Sequence, residues 1–283
     1  MPKKTLTPMH KSKIAVIGAT GGLGQSLVSV LIKEKPECLY LCGRNEQELL
    51  KLKNLAEESH IACKCFAFDI KDEEKCSAFA YEIYANDFDR VVILTGISTS
   101  QNEVGLEDIF EINRGFTVNT LSPIRIIYNL SDLKIRDQNK TKKIQIAVVS
   151  SIASFLPLPS SPVYCASKAA LNVYIRALRK KLSSSGIVLS LIMPGFFESP
   201  MSERYLGSKA FKLSANEAAR KVLSVLKSGK AYVVFPFILG YASLFMSLLP
   251  WRLQDVFFRY FVKFKVEPDR ERYEFEKQRK RVK

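Results

Sequence analysis

The sequence predicts an α/β fold: a doubly wound parallel sheet with helices on both faces, followed by an apolar helical extension. Three observations carry this. Apolar runs of strand length alternate with longer segments of helical periodicity from residue 14 to residue 234, and that alternation is the signature of a parallel sheet with crossover helices. The first run, Ile14-Ala15-Val16-Ile17, is closed by a glycine-rich segment, Gly18-Ala19-Thr20-Gly21-Gly22-Leu23-Gly24. Internal repeats and low-complexity stretches are absent over the 283 residues, so one large domain with an extension accounts for the length.

The elements follow in order. Ile14–Ile17 reads as a buried strand and Leu23–Lys33 as the first helix. Cys38–Cys42 is a second strand, Glu46–Glu58 a second helix, and Cys63–Phe68 a third strand. An acidic helix runs from Asp72 to about Tyr84, and Val91-Val92-Ile93-Leu94 is a fourth strand. Helical stretches cover roughly Leu106–Leu130, then Ile144–Val149 forms a fifth strand and Val163–Leu182 a long helix. Ile187–Ile192 is a sixth strand, Ala215–Leu226 a helix, and Ala231–Val234 a short last strand. These boundaries divide the chain into a basic N-terminal tail (1–13), an α/β domain (14–235), and an apolar helical extension with a charged tail (236–283).

Composition narrows the function. With 47% apolar and 25% charged residues the chain is globular rather than disordered. The net charge of +15 is concentrated at the ends: residues 1–13 hold four lysines and no acid, and residues 252–283 have eleven basic against six acidic residues. No basic stripe interleaved with aromatics crosses the body, which argues against nucleic-acid binding. The histidines are His10 and His60 alone, and the six cysteines lack ligand-pair spacing, so a Ser-His-Asp triad or a zinc site is not expected. Met1–Lys13 lacks the apolar core of a signal peptide, and reduced thiols fit the cytosol.

Two motifs carry chemistry. Glycines in Gly18–Gly24 permit positive φ and close backbone approach, and the helix that follows offers unpaired N–H groups to a phosphate. The position after the first strand of a βαβ unit points to a dinucleotide, although the Gly18-x-x-x-Gly22-x-Gly24 spacing differs from the ordinary fingerprint. Tyr164 and Lys168, four residues apart, share one helix face. An ammonium beside a phenol lowers the phenol pKa toward the range useful for proton transfer. Taken alone, the pair also fits a solvated helix face.

Together these residues resemble the short-chain dehydrogenase/reductase family. Gly18-x-x-x-Gly22-x-Gly24, Asn119, Ser151, Tyr164-x-x-x-Lys168 and Pro194-Gly195 stand in that family's order and spacing, over about residues 13–235. The resemblance implies a Rossmann-type fold and a catalytic tetrad of Asn119, Ser151, Tyr164 and Lys168. In it Tyr164 would protonate a carbonyl oxygen as hydride arrives, and Ser151 would hydrogen-bond that oxygen. Lys168 would hold the nicotinamide ribose, and Asn119 would position a water. The resemblance further implies coenzyme contacts at Gly18, Thr20, Gly22, Leu23, Gly24, Asp69, Ile70, Gly96, Pro194, Gly195 and Ser199, besides Tyr164 and Lys168. Ile93 and Leu94 depart from the family's asparagines before Gly96. Gly43 occupies the place of an acid that would accept from a ribose 2′-OH, while Arg44 can pair with a 2′-phosphate; NADP(H) is therefore expected over NAD(H).

Ala231–Trp251 carries no charge, yet Pro236, Gly240 and Pro250 interrupt it. After Pro250 the polar residues Arg252, Asp255, Arg259 and Lys263 form one narrow stripe, leaving Trp251, Leu253, Val256, Phe257, Phe258, Tyr260, Phe261, Val262 and Phe264 to be buried. Two readings stand: a hairpin in a membrane interface, with peripheral attachment of a cytoplasmic protein, or a cap over the substrate cleft or a dimer interface. Both favour a lipophilic substrate such as a long-chain keto-lipid. A coenzyme-binding sensor or membrane-anchored scaffold without turnover is the alternative. The charge-dense tail after Val266 is assigned no chemistry.

Overall fold

The computed structural model describes residues 6–102, 104–137, 142–207, 209, 211–261 and 265–282, with the backbone alone for 259–261, 265 and 279–282. Among them seven strands form one sheet: β1 (Lys13–Ile17), β2 (Cys38–Gly43), β3 (Ala62–Ala67), β4 (Arg90–Ile93), β5 (Ile144–Val149), β6 (Ile187–Pro194) and β8 (Tyr232–Phe235), with a two-residue β7 (Tyr205–Leu206) lying outside it. The spatial order is β3-β2-β1-β4-β5-β6-β8, every pair parallel. The order reverses between β1 and β4, so a crevice opens at their carboxyl ends.

Both faces of this sheet are covered, as its continuous apolar strands require. Ile14 and Val16 enter one core with Leu27, Leu31, Leu41 and Val222, whereas Ala15 and Ile17 enter the other with Ile83, Ile127 and Leu171. The first core lies under α1 (Gly22–Lys33), α2 (Glu46–Glu58) and α8 (Ala215–Ser228). The second lies under α3 (Glu73–Ala85), α5 (Ser122–Arg136) and α6 (Pro162–Ser184), with α4 (Ile109–Phe116) leaning on α6. Side-chain caps set where several helices begin: Asn45, Asp72 and Asp108 accept from the N–H groups of Glu48, Lys75 and Glu111. Ser214 and Glu217 close a capping box, and Gly229, at φ +64°, ends α8.

Two expectations change. Leu106 is not helical, because the Asn102 side chain accepts from the N–H groups of Val104 and Leu106 and closes a loop ahead of the Asp108 cap. The helical stretch is also divided by a π-turn, Thr117–Leu121, before α5 carries on to Arg136.

The chain beyond β8 folds as α9 (Phe237–Ser247), α10 (Trp251–Phe261), β9 (Lys265–Val266) and α11 (Arg270–Val282). A Cβ on Gly240 would lie 2.0 Å from Val234 Cγ1, so α9 rests directly on β8. Phe258, 5% exposed, packs with Leu158 and Cys165 beside α6. β9 pairs antiparallel with β7, and the charged tail becomes α11, with short α7 (Pro200–Glu203) preceding β7. The apolar stretch thus breaks into elements of at most eleven residues, and no described helix is long and apolar enough to cross a membrane. Contrary to the stripe reading, Trp251, Leu253 and Val256 are exposed beside Arg252 and Asp255. Val262, Lys263 and Phe264, and the side chains of Arg259, Tyr260 and Phe261, fall outside the described residues.

The N-terminal segment is held to the sheet. Arg90, 1% exposed, donates to Thr7 O (2.6 Å), Leu226 O (3.1 Å) and Ser12 Oγ, while Asp89 accepts from Thr7 Oγ1 and Lys13 N. One buried guanidinium therefore joins residues 7–12, β4 and the end of α8. Arg90→Ala should lower unfolding free energy by about 3 kcal/mol in urea titration, because a buried carbonyl, a partly buried one and a buried hydroxyl lose their donor.

Candidate active site

The glycine segment turns tightly over the end of β2. The N–H groups of Gly18, at φ +89°, and Ala19 both donate to Cys42 O at 2.9 Å. A Cβ on Gly24 would lie 2.1 Å from Gly18 O, so only glycine lets α1 start this close to the turn. Gly21 caps α1 without a side-chain bond, leaving the first N–H groups of the helix directed at the crevice. A cavity of about 940 Å³ opens there, lined by Gly18, Thr20, Gly43, Arg44, Asp69, Ile70, Thr95, Gly96 and Val118, and also by Asp269, Arg270, Glu271 and Glu274 of the C-terminal segment.

At the inner end of this cavity the ends of β4 and β5 meet α6. Lys168, 2% exposed, donates to Thr95 O (3.2 Å) and Val149 O (3.3 Å). Asn119, fully buried on the π-turn, accepts from Ile97 N (2.8 Å) and donates to Ile97 O (3.0 Å) and Ser167 Oγ (3.0 Å). Thr120 Oγ1 donates to Ser167 O (2.7 Å), fixing the π-turn to α6 a second time. A Cβ on Gly96 would lie 3.0 Å from Lys168 Nζ and 3.4 Å from Asn119 Oδ1. Ser151, extended at φ −159°, caps a 3-10 turn, its hydroxyl accepting from Ala153 N (3.1 Å), and lines a cavity together with Tyr164.

The electrostatics differ from the simple ammonium–phenol expectation. Burial pushes the Tyr164 phenol up to about 12, with the Ser151 hydroxyl pulling the other way. Burial also brings Lys168 down to about 8, with no carboxylate to offset it. The ammonium is turned to the two strand-end carbonyls, so the desolvation of the phenol dominates. Cys165, beside Tyr164, is pushed up to about 12 by burial and is an inert thiol.

Beyond Tyr164 lies a second cavity of about 370 Å³. Ser151 and Tyr164 stand in its lining; its walls are Leu156, Leu158, Phe196, Phe197, Met201 and Tyr205, together with Leu239, Ala242 and Met246 of α9 and Phe257 of α10. The apolar segment therefore roofs this chamber.

The expected site residues divide by place. Gly18, Thr20, Arg44, Asp69, Ile70 and Gly96 line the large cavity; Gly22, Leu23 and Gly24 form the helix start behind it. Ser151, Tyr164, Gly195 and Ser199 line the apolar chamber, and Pro194 is the last residue of β6. The Ser199 hydroxyl caps α7 by accepting from Ser202 N (3.1 Å), and a Cβ on Gly22 would meet Ser199 Cβ at 3.1 Å, so the two loops touch. Sequence reading passed over Lys71, Arg114, Arg204, Asp269 and Glu271. Arg114, 5% exposed, binds Glu111 and Asp269 at 2.7 Å, and Arg204 pairs with Asp269 at 3.2 Å. Burial works against Asp269, but the Arg272 N–H and Arg114 outweigh it and hold the carboxyl below the usual range. No local pattern marks such partners, since they come from distant parts of the chain. No described group of three or more His, Cys, Asp or Glu is placed to hold a metal ion.

Comparison with known proteins agrees with this architecture. The short chain dehydrogenase family profile matches residues 12–209. The chain is 25% identical over 229 residues to an uncharacterized oxidoreductase, DltE, of Bacillus subtilis, covering 78% of this chain and 87% of the relative. It is 24% identical over 189 residues to the 3-oxoacyl-(acyl-carrier-protein) reductase FabG of Rickettsia typhi, covering 67% and 74%. A crystal structure of a short chain dehydrogenase from Burkholderia cenocepacia in complex with NADP superposes with a TM-score of 0.74 at 20% identity, covering 91% of this chain and all of that one.

The buried lysine has a measurable signature. Between pH 8 and 10.5 the folded state releases the Lys168 proton before the unfolded state does, so stability rises with pH across that window and the burial penalty is present in full below it. In urea titrations of the protein alone, wild type should gain on Lys168→Met by up to about 1.4 kcal/mol per pH unit. A flat difference would put the lysine at its ordinary value.

Proposed function

This chain belongs to the short-chain dehydrogenase family, and we propose that it is an NADP(H)-dependent oxidoreductase interconverting a carbonyl and an alcohol on a lipophilic substrate. The observation that carries the reading is the meeting of two cavities at one group of residues. A long cleft under a glycine turn reaches Gly96, behind which Lys168 Nζ lies, and an apolar chamber ends at Tyr164 and Ser151. We read residues 14–235 as the catalytic unit and 236–283 as an addition that closes both cavities.

The residues present fit the coenzyme. The start of α1 suits a pyrophosphate, Gly43 leaves no carboxylate after β2, and Arg44 with Lys71 offers two cations to a 2′-phosphate. Asp69 suits the adenine amino group, and Ile70 the ring. NADP(H), when bound, supplies or accepts the hydride. In reduction, Tyr164 is a protonated phenol at neutral pH and gives its proton to the carbonyl oxygen as negative charge develops there. The Ser151 hydroxyl donates to that oxygen and then to the phenolate left behind. Lys168, its ammonium next to Gly96, would hold the ribose hydroxyls. Asn119 spends its side-chain amide on Ile97 and Ser167, so its contribution is to fix the loop after β4 against α6. A relay water would bind at the backbone this pairing shapes.

The chamber supports the substrate class. Its walls are almost wholly carbon, and a carbonyl with an apolar chain is what leaves no polar group unpaired there. The FabG relative is named for a 3-oxoacyl substrate, which is of the same kind. A membrane surface is the partner we favour for the outside of the roof. Phe237, Ile238, Phe245, Leu248 and Trp251 are each at least 66% exposed, a row larger than scattered surface residues account for.

Tyr164→Phe should lower kcat by about 10²–10⁴-fold while NADPH binding persists, and normal turnover in that variant would refute the mechanism. NADPH oxidation over a panel of ketones should improve with chain length; a panel without turnover would instead favour a coenzyme-binding sensor. Arg44→Ala should raise KM for NADPH about tenfold and leave KM for NADH in place, read from kcat/KM with both coenzymes. For the surface, sedimentation with phosphatidylglycerol vesicles should fall in Phe245→Glu/Leu248→Glu, with coenzyme affinity retained. A monomer-to-dimer change without vesicle binding would assign the row to a second copy.

A further inference from the structure

We propose that Glu271 is a specificity-determining residue for the coenzyme: from the C-terminal helix its carboxylate takes, on Arg44 and Lys71, the place that a 2′-phosphate takes in NADP(H). The inference rests on the coenzyme reading above and adds to it an acid supplied from the far end of the chain. Lys71 Nζ lies 2.8 Å from Glu271 Oε1 across 200 residues of sequence, and Arg44 Nη1 lies 3.7 Å from Glu271 Oε2. Asp69 Oδ2 completes the cluster at 3.5 Å from Lys71 and 3.8 Å from Arg44. Burial disfavours the charge on Lys71, but Glu271 and Asp69 more than offset it and raise its pKa. The two cations that suit a phosphate are therefore already answered by carboxylates.

The position of Glu271 is built rather than incidental. Asp269, two residues earlier, is held by Arg114 at 2.7 Å and by Arg204 at 3.2 Å. Arg272, one residue later and 3% exposed, pairs with Asp108 at 2.6 Å, and Phe275 stacks on Phe110 with centroids 4.1 Å apart. The backbone at 271 is thus fixed over the cleft, and its carboxylate, about one-third exposed, also lies 3.7 Å from Arg114 Nη1. A phosphate, with more charge and three acceptor oxygens, displaces it. A coenzyme without that phosphate leaves it in place, where it can accept from the ribose 2′-OH. Glu271 accordingly lowers the preference for NADP(H) that Arg44 and Lys71 alone would give.

Dissociation constants for NADPH and NADH, read by coenzyme fluorescence on the full chain, test this. Glu271→Gln keeps the shape and removes the charge; it should tighten NADPH about two- to fivefold, the range expected for exposed ion pairs, and leave NADH unchanged or weaker. Glu267→Gln, an exposed carboxylate of the same segment that lines neither cavity, should leave the ratio of the two constants unchanged. An unchanged or weaker NADPH constant in Glu271→Gln, with Arg44→Ala still impairing NADPH, would overturn the role of Glu271 and leave the coenzyme reading intact. Wild type preferring NADH, with no effect of Arg44→Ala, would remove that reading and the proposal with it.

Discussion

An ammonium without a counter-ion among the described residues sets the geometry of this protein. Lys168 reaches from α6 to the last carbonyl of β5 and to that of Thr95, two residues past β4, where the sheet ends and the crevice begins. A buried cation held only by carbonyl dipoles is costly, and it persists because the surrounding structure leaves it nowhere else to go. The π-turn at Thr117–Leu121 belongs to the same constraint, since the extra residue there aims the Asn119 amide at both Ile97 and Ser167. Strand ends, π-turn and α6 are thereby fixed to one another before any ligand is considered. Tyr164, one helical turn from Lys168, inherits its place from that fixation.

The C-terminal segment then completes what the sheet leaves open. α9 sits on β8 through Gly240 and turns Leu239, Ala242 and Met246 toward Tyr164. β9 joins β7 beside the loop after β6, and the chain continues into α11 along the coenzyme cleft. One stretch of about fifty residues thus gives an apolar roof to one cavity and a charged wall to the other. Its two halves differ in chemistry because the cavities do.

How much of this can be read in the sequence depends on the range of the interaction. The strands and most helices are legible because burial on both faces demands continuous apolar runs and local caps fix the helix starts. Gly18–Gly24, Ser151 and Tyr164–Lys168 are legible because their geometry is set within a few residues. The direction in which α9 faces is not, since its apolar residues surround the whole helix and packing on Val234 decides which are buried. The partners of Asp269 and Glu271 are illegible for a like reason: in a run of alternating charges no residue announces which distant cation it will meet. Local spacing also misjudged the Tyr164 pKa, because it registers the neighbouring charge but not the desolvation that outweighs it.

The contrast between apolar and ionic docking has a consequence for the surroundings in which the protein works. The sheet is held by buried carbon, which added salt scarcely weakens. Much of the grip of α11 comes from ion pairs, several of them half-exposed, such as Lys71–Glu271 and Arg44–Glu271. The screening length of water contracts from about 10 Å at 0.1 M ionic strength to about 3 Å at 1 M, and these pairs weaken with it. The cleft wall therefore responds to ionic strength while the sheet beneath it stays as it is, which makes coenzyme access a property of the medium as well as of the fold.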